Sequence, residues 1–251
     1  MLGNKLKIND SKTEFLILGT RQQLQKVHIQ GLQVGSEQVV PVRLVRNLGV
    51  VVDENMSMDK HVAKVASTGY FHLRNIRVIR KYLDHDATCS IIHAFVSSQI
   101  DYCNSLLSEL PSSLIAKLQR LQNAAARVVF DLKRRDHITP VLRQLHWLPI
   151  KYRIKFKVLF IVYKALHNMA PQYIKDMLVQ RTNERYSLRS GMEVTLIVPR
   201  FKCVTLGRRA FAVNAPILWN SLPRDLRSIN NLESFKQHLK SYLFTQFTIG
   251  A

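Results

Sequence analysis

The chain is poor in acid: 17 Asp and Glu stand against 37 Lys and Arg in 251 residues, a formal charge of +20. A surplus of that size favours a polyanionic partner, with nucleic acid ahead of a membrane surface. Cysteine is scarce too. Cys89, Cys103 and Cys203 lie far apart with no CxxC pair, which excludes a disulfide framework and fits a reducing compartment. No apolar run is long enough to cross a bilayer, and the N-terminus carries no apolar signal segment. Membrane spanning and secretion are therefore disfavoured, and an intracellular location, nuclear or cytoplasmic, is expected. The longest apolar stretch, 158–162, has lysines on both sides and reads as a core helix.

Catalytic motifs are missing as well. No GxxxxGK[ST], GxSxG, HExxH or GxGxxG occurs, so the nucleotide-hydrolysing and hydrolase classes that carry them lack support. The histidines show no metal-ligand spacing; His137 and His146 stand across Pro140 without a nearby cysteine and read as capping or packing residues. The cysteines fall on apolar faces and read as core thiols. A polymerase holds two divalent ions with paired carboxylates, and this chain has no Asp-Asp pair. Asp10 and Glu14 flank a lysine outside any hairpin, and Asp53-Glu54 reads as a solvated turn closing a strand.

Apolar residues make up 47% of the chain, enough to bury a core. The region 13–53 reads as short strands separated by Gly turns, at 13–18, 27–29 and 45–52, and suggests antiparallel hairpins. After Ser57, a plausible N-cap, the period becomes helical. One helix runs to about Leu83. A second opens at Asp84 or His85 with Ile91, Phe95 and Tyr102 on one face, and a third follows Pro111 with Leu114, Leu118, Leu121, Ala125 and Val128 as its buried stripe. The run Ala124-Ala125-Ala126 would allow close helix approach. Further helices are expected at 149–168, 171–179 and 207–218, with a last one capped by Asn231 and running to Phe244. The segment 194–206 reads as β-like.

Two basic stripes lie on these helices. Arg74, Arg77 and Lys81 fall at helical spacing on the first, and Lys117, Arg120 and Arg127 on the third, opposite its apolar stripe. With Lys133, Arg134 and Arg135 they could track a nucleic-acid backbone without reading sequence. A stripe of this kind also serves as an ordinary solvated face.

An ordered series of segments carries a resemblance. Asn4-Lys5-Leu6-Lys7-Ile8-Asn9 with Lys12-Thr13-Glu14-Phe15 resembles the palm segment that follows the metal-binding aspartates in reverse transcriptases of non-LTR (LINE-type, CR1/L2/jockey-like) retrotransposons. Asn47-Leu48-Gly49-Val50-Val51-Val52-Asp53 resembles their primer grip. His72-Leu73-Arg74-Asn75-Ile76, Asp101-Tyr102-Cys103-Asn104-Ser105-Leu106-Leu107 and the segment from Leu118 to Arg127 resemble the thumb. His137-Ile138-Thr139-Pro140-Val141-Leu142, Leu145-His146-Trp147-Leu148-Pro149-Ile150, Tyr163-Lys164-Ala165-Leu166-His167 and Trp219-Asn220-Ser221-Leu222-Pro223 are similar to the region beyond it. The series covers nearly the whole chain.

The resemblance implies an α+β, mostly α protein. A small antiparallel palm remnant at 1–55 would be followed by a thumb-like helical bundle at 56–135 and a mainly helical C-terminal domain with a few strands at 136–251. It implies a fragment of an RNA-directed DNA polymerase without its catalytic aspartates, hence no enzyme as an isolated chain. Lys12 would lie near the incoming nucleotide, and Asn47, Leu48 and Gly49 would form the primer grip, where glycine lets the backbone approach a phosphate. No cofactor is expected in this chain, since Mg²⁺ belongs to the full-length polymerase. RNA and DNA template-primer are the expected partners, together with the missing palm and fingers, and no membrane. The alternative is a retained non-enzymatic interaction or scaffold protein that uses its helical bundle.

Overall fold

The structure is a computed structural model that describes residues 9, 12–35, 37–133, 135–181, 195–203 and 205–249. It is mostly helical with a few small strands, as expected for a mostly α member of the α+β class. The chain divides into two compact units, Met1–Lys64 and Val65–Ala251. The division falls after Lys64, and the helices on either side of residue 135 lie in one unit.

Among the described residues the first unit holds six short strands paired into three sheets of two. β2 (Leu32–Val34) and β3 (Glu37–Val39) are antiparallel, as are β5 (Leu44–Asn47) and β6 (Val50–Asp53). β1 (Phe15–Leu16) and β4 (Pro41–Val42) run parallel, against the expectation of hairpins alone. The strand expected at 27–29 does not form. Instead Thr20 opens a short helix, α1 (Arg21–Leu24), through a capping box: Gln23 N–H donates to the Thr20 hydroxyl at 3.3 Å, and Thr20 N–H donates to Gln23 Oε1 at 2.9 Å. Threonine three residues before glutamine is a helix-start signal, and the residues expected as a strand follow that helix without regular structure. The strand expected at 45–52 is split, because Leu48 and Gly49 have φ of 45° and 86°. Two positive φ values in a row make a type I′ turn, whose twist matches the strands it joins.

Asp53 is not a solvated turn residue. Its carboxylate accepts from the N–H groups of Asn55, Ser57 and Met58 at 2.9–3.1 Å and from the Ser57 hydroxyl at 3.0 Å. Burial pushes its pKa up, but the bonds from Ser57, Met58 and Asn55 together outweigh that and hold it below its ordinary 3.8. The knot ends the hairpin and starts α2 (Asp59–Ile79), with Asp59 N–H donating to Ser57 Oγ at 3.3 Å. The first turn of that helix brings buried His61 to β6, where its Nδ1 accepts from Val51 N–H at 3.4 Å.

In the second unit α2 continues past Gly69, buries Leu73 and Ile76, and ends in a 3₁₀ turn, Arg80–Tyr82. α3 (His85–Ile92) is capped by the Asp84 carboxylate, which accepts from Ala87 N–H at 2.7 Å. A π-helical turn, His93–Ser97, leads to α4 (Ser98–Asp101). The buried series here is Thr88, Ile92, Val96 and Ile100, so the apolar face expected through Ile91, Phe95 and Tyr102 is displaced by one residue or more. An i+4 repeat drifts around an α-helix of 3.6 residues per turn, and the wider π turn holds it on one side.

α5 (Ser112–Val129) buries the whole expected stripe: Leu114, Leu118, Leu121, Ala125 and Val128. A Cβ on Gly69 would lie 2.4 Å from Leu121 Cδ2, so α2 meets α5 there at close range. α6 (Thr139–Gln144) was not foreseen, and α7 (Ile150–Leu166) fills the helix expected after Pro149. Pro149 has no side chain to cap α7, and Gln119 on α5 does so, its Oε1 accepting from Ile150 N–H at 2.9 Å. Buried Gln122 donates to Leu148 O at 2.9 Å and seals the same junction.

Beyond α7 come α8 (Gln172–Lys175), α9 (Leu206–Arg209), α10 (Phe211–Asn220), α11 (Arg224–Arg227) and α12 (Leu232–Ile249). The helix expected at 207–218 is broken at Ala210, and Asn231 caps α12 as expected, its Oδ1 accepting from Ser234 N–H at 2.9 Å. For the β-like reading of 194–206, the described residues give one isolated bridge, Gln180 to Leu196, and Leu206 already begins α9. Asn220 fixes that bridge by bonding both N–H and C=O of Leu196 at 2.9 and 2.8 Å. α7, α10 and α12 enclose Val158, Val162, Tyr163, Trp219, Phe235 and Leu239. Tyr163 lies between the rings of His167 and Phe235, at 3.9 and 4.1 Å.

Candidate nucleic-acid interface

The candidate cations divide between the two units. In the first, Lys12 is exposed and its N–H donates to Asn9 O at 3.1 Å. Asn47 and Leu48 are exposed at the tip of the β5–β6 hairpin, and Gly49 is a turn residue there, not a bulge within one strand. These four form two separate features of that unit, Lys12 before β1 and the other three at the hairpin tip.

In the second unit Arg74 and Arg77 stand exposed on α2, and Lys81 holds its Nζ 4.8 Å from the centroid of the Tyr82 ring. On α5, Arg120 is exposed and Lys117 half-buried. Arg127 is also half-buried, and one of its terminal nitrogens donates to Asp136 O at 3.2 Å, so it braces the turn after α5 as well as adding charge. Lys133 and Arg135 are exposed, and Arg134 lies outside the described residues.

Arg80, which sequence reasoning passed over, joins the two helices that carry most of these groups. Its Nε and one terminal nitrogen donate to Val128 O and Val129 O at 3.0 and 2.9 Å, and the other terminal nitrogen donates to Leu83 O at 2.8 Å. The last carbonyls of a helix have no donor of their own, and a guanidinium both satisfies them and meets the negative end of the helix dipole. This clasp holds the C-terminal ends of α2 and α5 together. Arg77 and Lys81, on either side of Arg80, are thereby brought to the end of the unit where Arg127 and Lys133 flank the clasped carbonyls. The rings of His85 and Phe130, 5.2 Å apart, close the same end. Of the acids there, Asp84 and Asp136 accept backbone N–H groups, both at 2.7 Å, while Asp86 and Asp131 stand exposed. Lys117, Arg120 and Arg74 lie farther back along their helices and extend the positive field.

A cleft of about 500 Å³ opens elsewhere in this unit, lined in part by His93, Asp101, Trp147, Arg153, Lys157 and Lys240. Arg153 pairs with Asp101 at 2.5 Å and donates to Leu148 O at 3.0 Å. Burial, and then the Arg153 charge, lower the pKa of His93 against the opposing pull of Asp101, so the ring that stands edge-on to Trp147 is neutral near pH 7.

The reading of the cysteines as core thiols fails for Cys203. It is exposed, and bonds from the Thr205 hydroxyl and then from the N–H groups of Leu206 and Gly207 lower its pKa to about 7. Cys89 and Cys103 are half-buried. Among the described residues no three His, Cys, Asp or Glu are grouped as a metal site, and no helix is long and apolar enough to cross a membrane. No protein-family model, no curated protein and no solved structure matches this chain.

Proposed function

We propose that this chain binds the sugar–phosphate backbone of RNA or DNA without sequence preference, and that it corresponds to the end of the palm, the thumb and the C-terminal part of a non-LTR retrotransposon reverse transcriptase. The observation that carries the binding is the Arg80 clasp, which ties the end of α2 that bears Arg77 to the end of α5 that bears Arg127, in a chain of charge +20. Cations gathered at one end of a rigid bundle neutralise successive phosphates and release their counterions, which gives affinity and register but no base readout. The polymerase assignment rests on the ordered segments from Lys12 to Trp219-Asn220-Ser221-Leu222-Pro223. Polymerisation is not assigned to these residues, because no pair of carboxylates accompanies Lys12 to hold the two metal ions of phosphoryl transfer. Mg²⁺ would act only where the aspartates of a full-length polymerase are supplied.

Fluorescence anisotropy with a labelled RNA·DNA hybrid, repeated from low to moderate salt, tests this reading. Five or so engaged cations give a slope of about −4 in log K against log salt, and reversing Arg77, Lys81 and Lys133 to Glu flattens it by about one per cation. No binding at low salt, or binding indifferent to salt, overturns the proposal. Primer extension by the purified chain with Mg²⁺ would overturn its non-catalytic part. The second reading, a protein-interaction module, draws on the exposed Phe71 and Val78 of α2 and expects an interface that barely responds to salt.

A further inference from the structure

α2 and the π turn after α3 leave two aromatic rings in water. Phe71 is 58% exposed on α2 and Phe95 is 49% exposed on the π turn that follows α3. Single exposed rings are ordinary, and it is rings joined into one patch that mark an interaction surface. The two are joined through His72. Phe71 stands edge-on to the imidazole at 5.5 Å, and the imidazole lies 5.3 Å from Phe95 at a tilt of 36°. The π turn has a direct part in this arrangement: it keeps Val96 and Ile100 buried in register with Ile92 and leaves Phe95 on the outside.

Charge selects the occupant. Arg74 follows Tyr70 by four residues and Phe71 by three, so rings and guanidinium share one face of α2, and Arg77 continues it. Asp59, in the first turn, is the one acid in the whole of α2. A surface of exposed rings interleaved with arginine fits flat, apolar groups linked by anions. That is the chemistry of unpaired nucleic-acid bases joined by phosphates, since every base offers a π face while the cations take the linkers. A duplex buries those faces in its own stack and offers these rings nothing.

We infer that Phe71, His72 and Phe95 form a stacking platform for unpaired bases, and that single-stranded nucleic acid is therefore the preferred ligand of this surface. The inference rests on the backbone-binding reading above and adds to it a role for bases that cations alone do not give.

An abasic oligonucleotide separates the two, because it has the phosphates of a normal strand and no bases. Anisotropy is measured with labelled dT12 and with an abasic strand of equal length, at one low salt concentration. Wild-type protein should bind dT12 at least tenfold more tightly. The Phe71→Ala, Phe95→Ala variant should bind dT12 only as well as the abasic strand, with abasic binding unchanged, and its thermal midpoint confirms that it folds. Phe71→Leu keeps apolar bulk without a ring and should lose most of the same advantage, while Phe71→Trp keeps it. Equal binding of the two strands by wild type overturns the platform and leaves backbone binding standing. Binding of neither strand overturns both. Retention of the dT12 advantage in Phe71→Leu together with the double alanine variant overturns stacking as its cause.

Discussion

Each of the two units of this chain has its own source of internal stability. In Val65–Ala251 the largest side chains, Trp219, Tyr163 and Phe235, are fully buried among long helices. Among the described residues of Met1–Lys64 the sheets have two strands each, none longer than four residues, and the buried side chains are Val50, Val51, Met58, His61 and Val62. Two-stranded ribbons are marginal by themselves. What fixes the β5–β6 hairpin is polar and local, the Asp53 knot and the Val51–His61 bond, and the Thr20–Gln23 capping box serves α1 in the same way. The helical unit should therefore answer to changes of volume and the strand unit to changes of charge.

Removing volume gives the largest expected effect. Trp219→Ala empties the centre of the α7, α10 and α12 core, where the indole is completely buried, and should cost about 3–5 kcal/mol in urea unfolding. Hydrogen exchange in the wild type should meanwhile find the amides of α5 and α7 well protected and those of β2, β3, β5 and β6 much less so. Strand amides that outlast those of α5, or a Trp219→Ala variant of unchanged stability, would break the comparison.

Acid should reach the strand unit in two stages. Burial, and then the charge of Lys64, lower the pKa of His61, so the unfolded chain takes that proton first. The stability this site allows is whole above the ordinary histidine value of 6.5 and declines as pH falls below it. Asp53 acts lower down: its carboxyl is held below 3.8, so its contribution is whole above that value and is lost as pH drops through the folded one. Asp53→Asn keeps the shape, removes the charge and should cost about 1–2 kcal/mol at neutral pH, as loss of a helix cap does. It should abolish the second stage and leave the first. Circular dichroism of wild type and variant across pH 2–8 separates the stages, and identical acid profiles would refute the role given to Asp53.

The helical unit was legible because its signals are periodic. The stripe Leu114, Leu118, Leu121, Ala125 and Val128 needs only 3.6-residue spacing to be seen, and Asp84 and Asn231 are caps a sequence can show. What escaped depends on distant or unusual geometry. The π turn at His93–Ser97 displaced a face that plain helical spacing put at Ile91 and Phe95. Arg80 carries no sequence signal of its own, and only its approach to Val128 and Val129 reveals it as the clasp of the candidate interface. Asp53 looked like a solvated turn because four donors converge on it only once the chain bends. α1 was the exception, since its Thr20-to-Gln23 spacing stood in plain view.

The smallest expected effect bears on the Asn47, Leu48, Gly49 tip. Leu48 holds a φ of 45° and is 83% exposed, so it combines a conformation that leucine disfavours with apolar surface left in water. Asn-Gly is the preferred pair for a type I′ turn. Leu48→Asn should therefore raise the stability of the strand unit by about 0.5–1 kcal/mol, a gain of the size seen when a residue suited to its backbone replaces one that is not. The same variant asks whether the tip grips a strand. A turn that serves only the hairpin will bind the RNA·DNA hybrid as before. A tip that lays Leu48 against a primer will lose affinity while the protein gains stability, and effects of opposite sign on the two measurements cannot arise from folding alone.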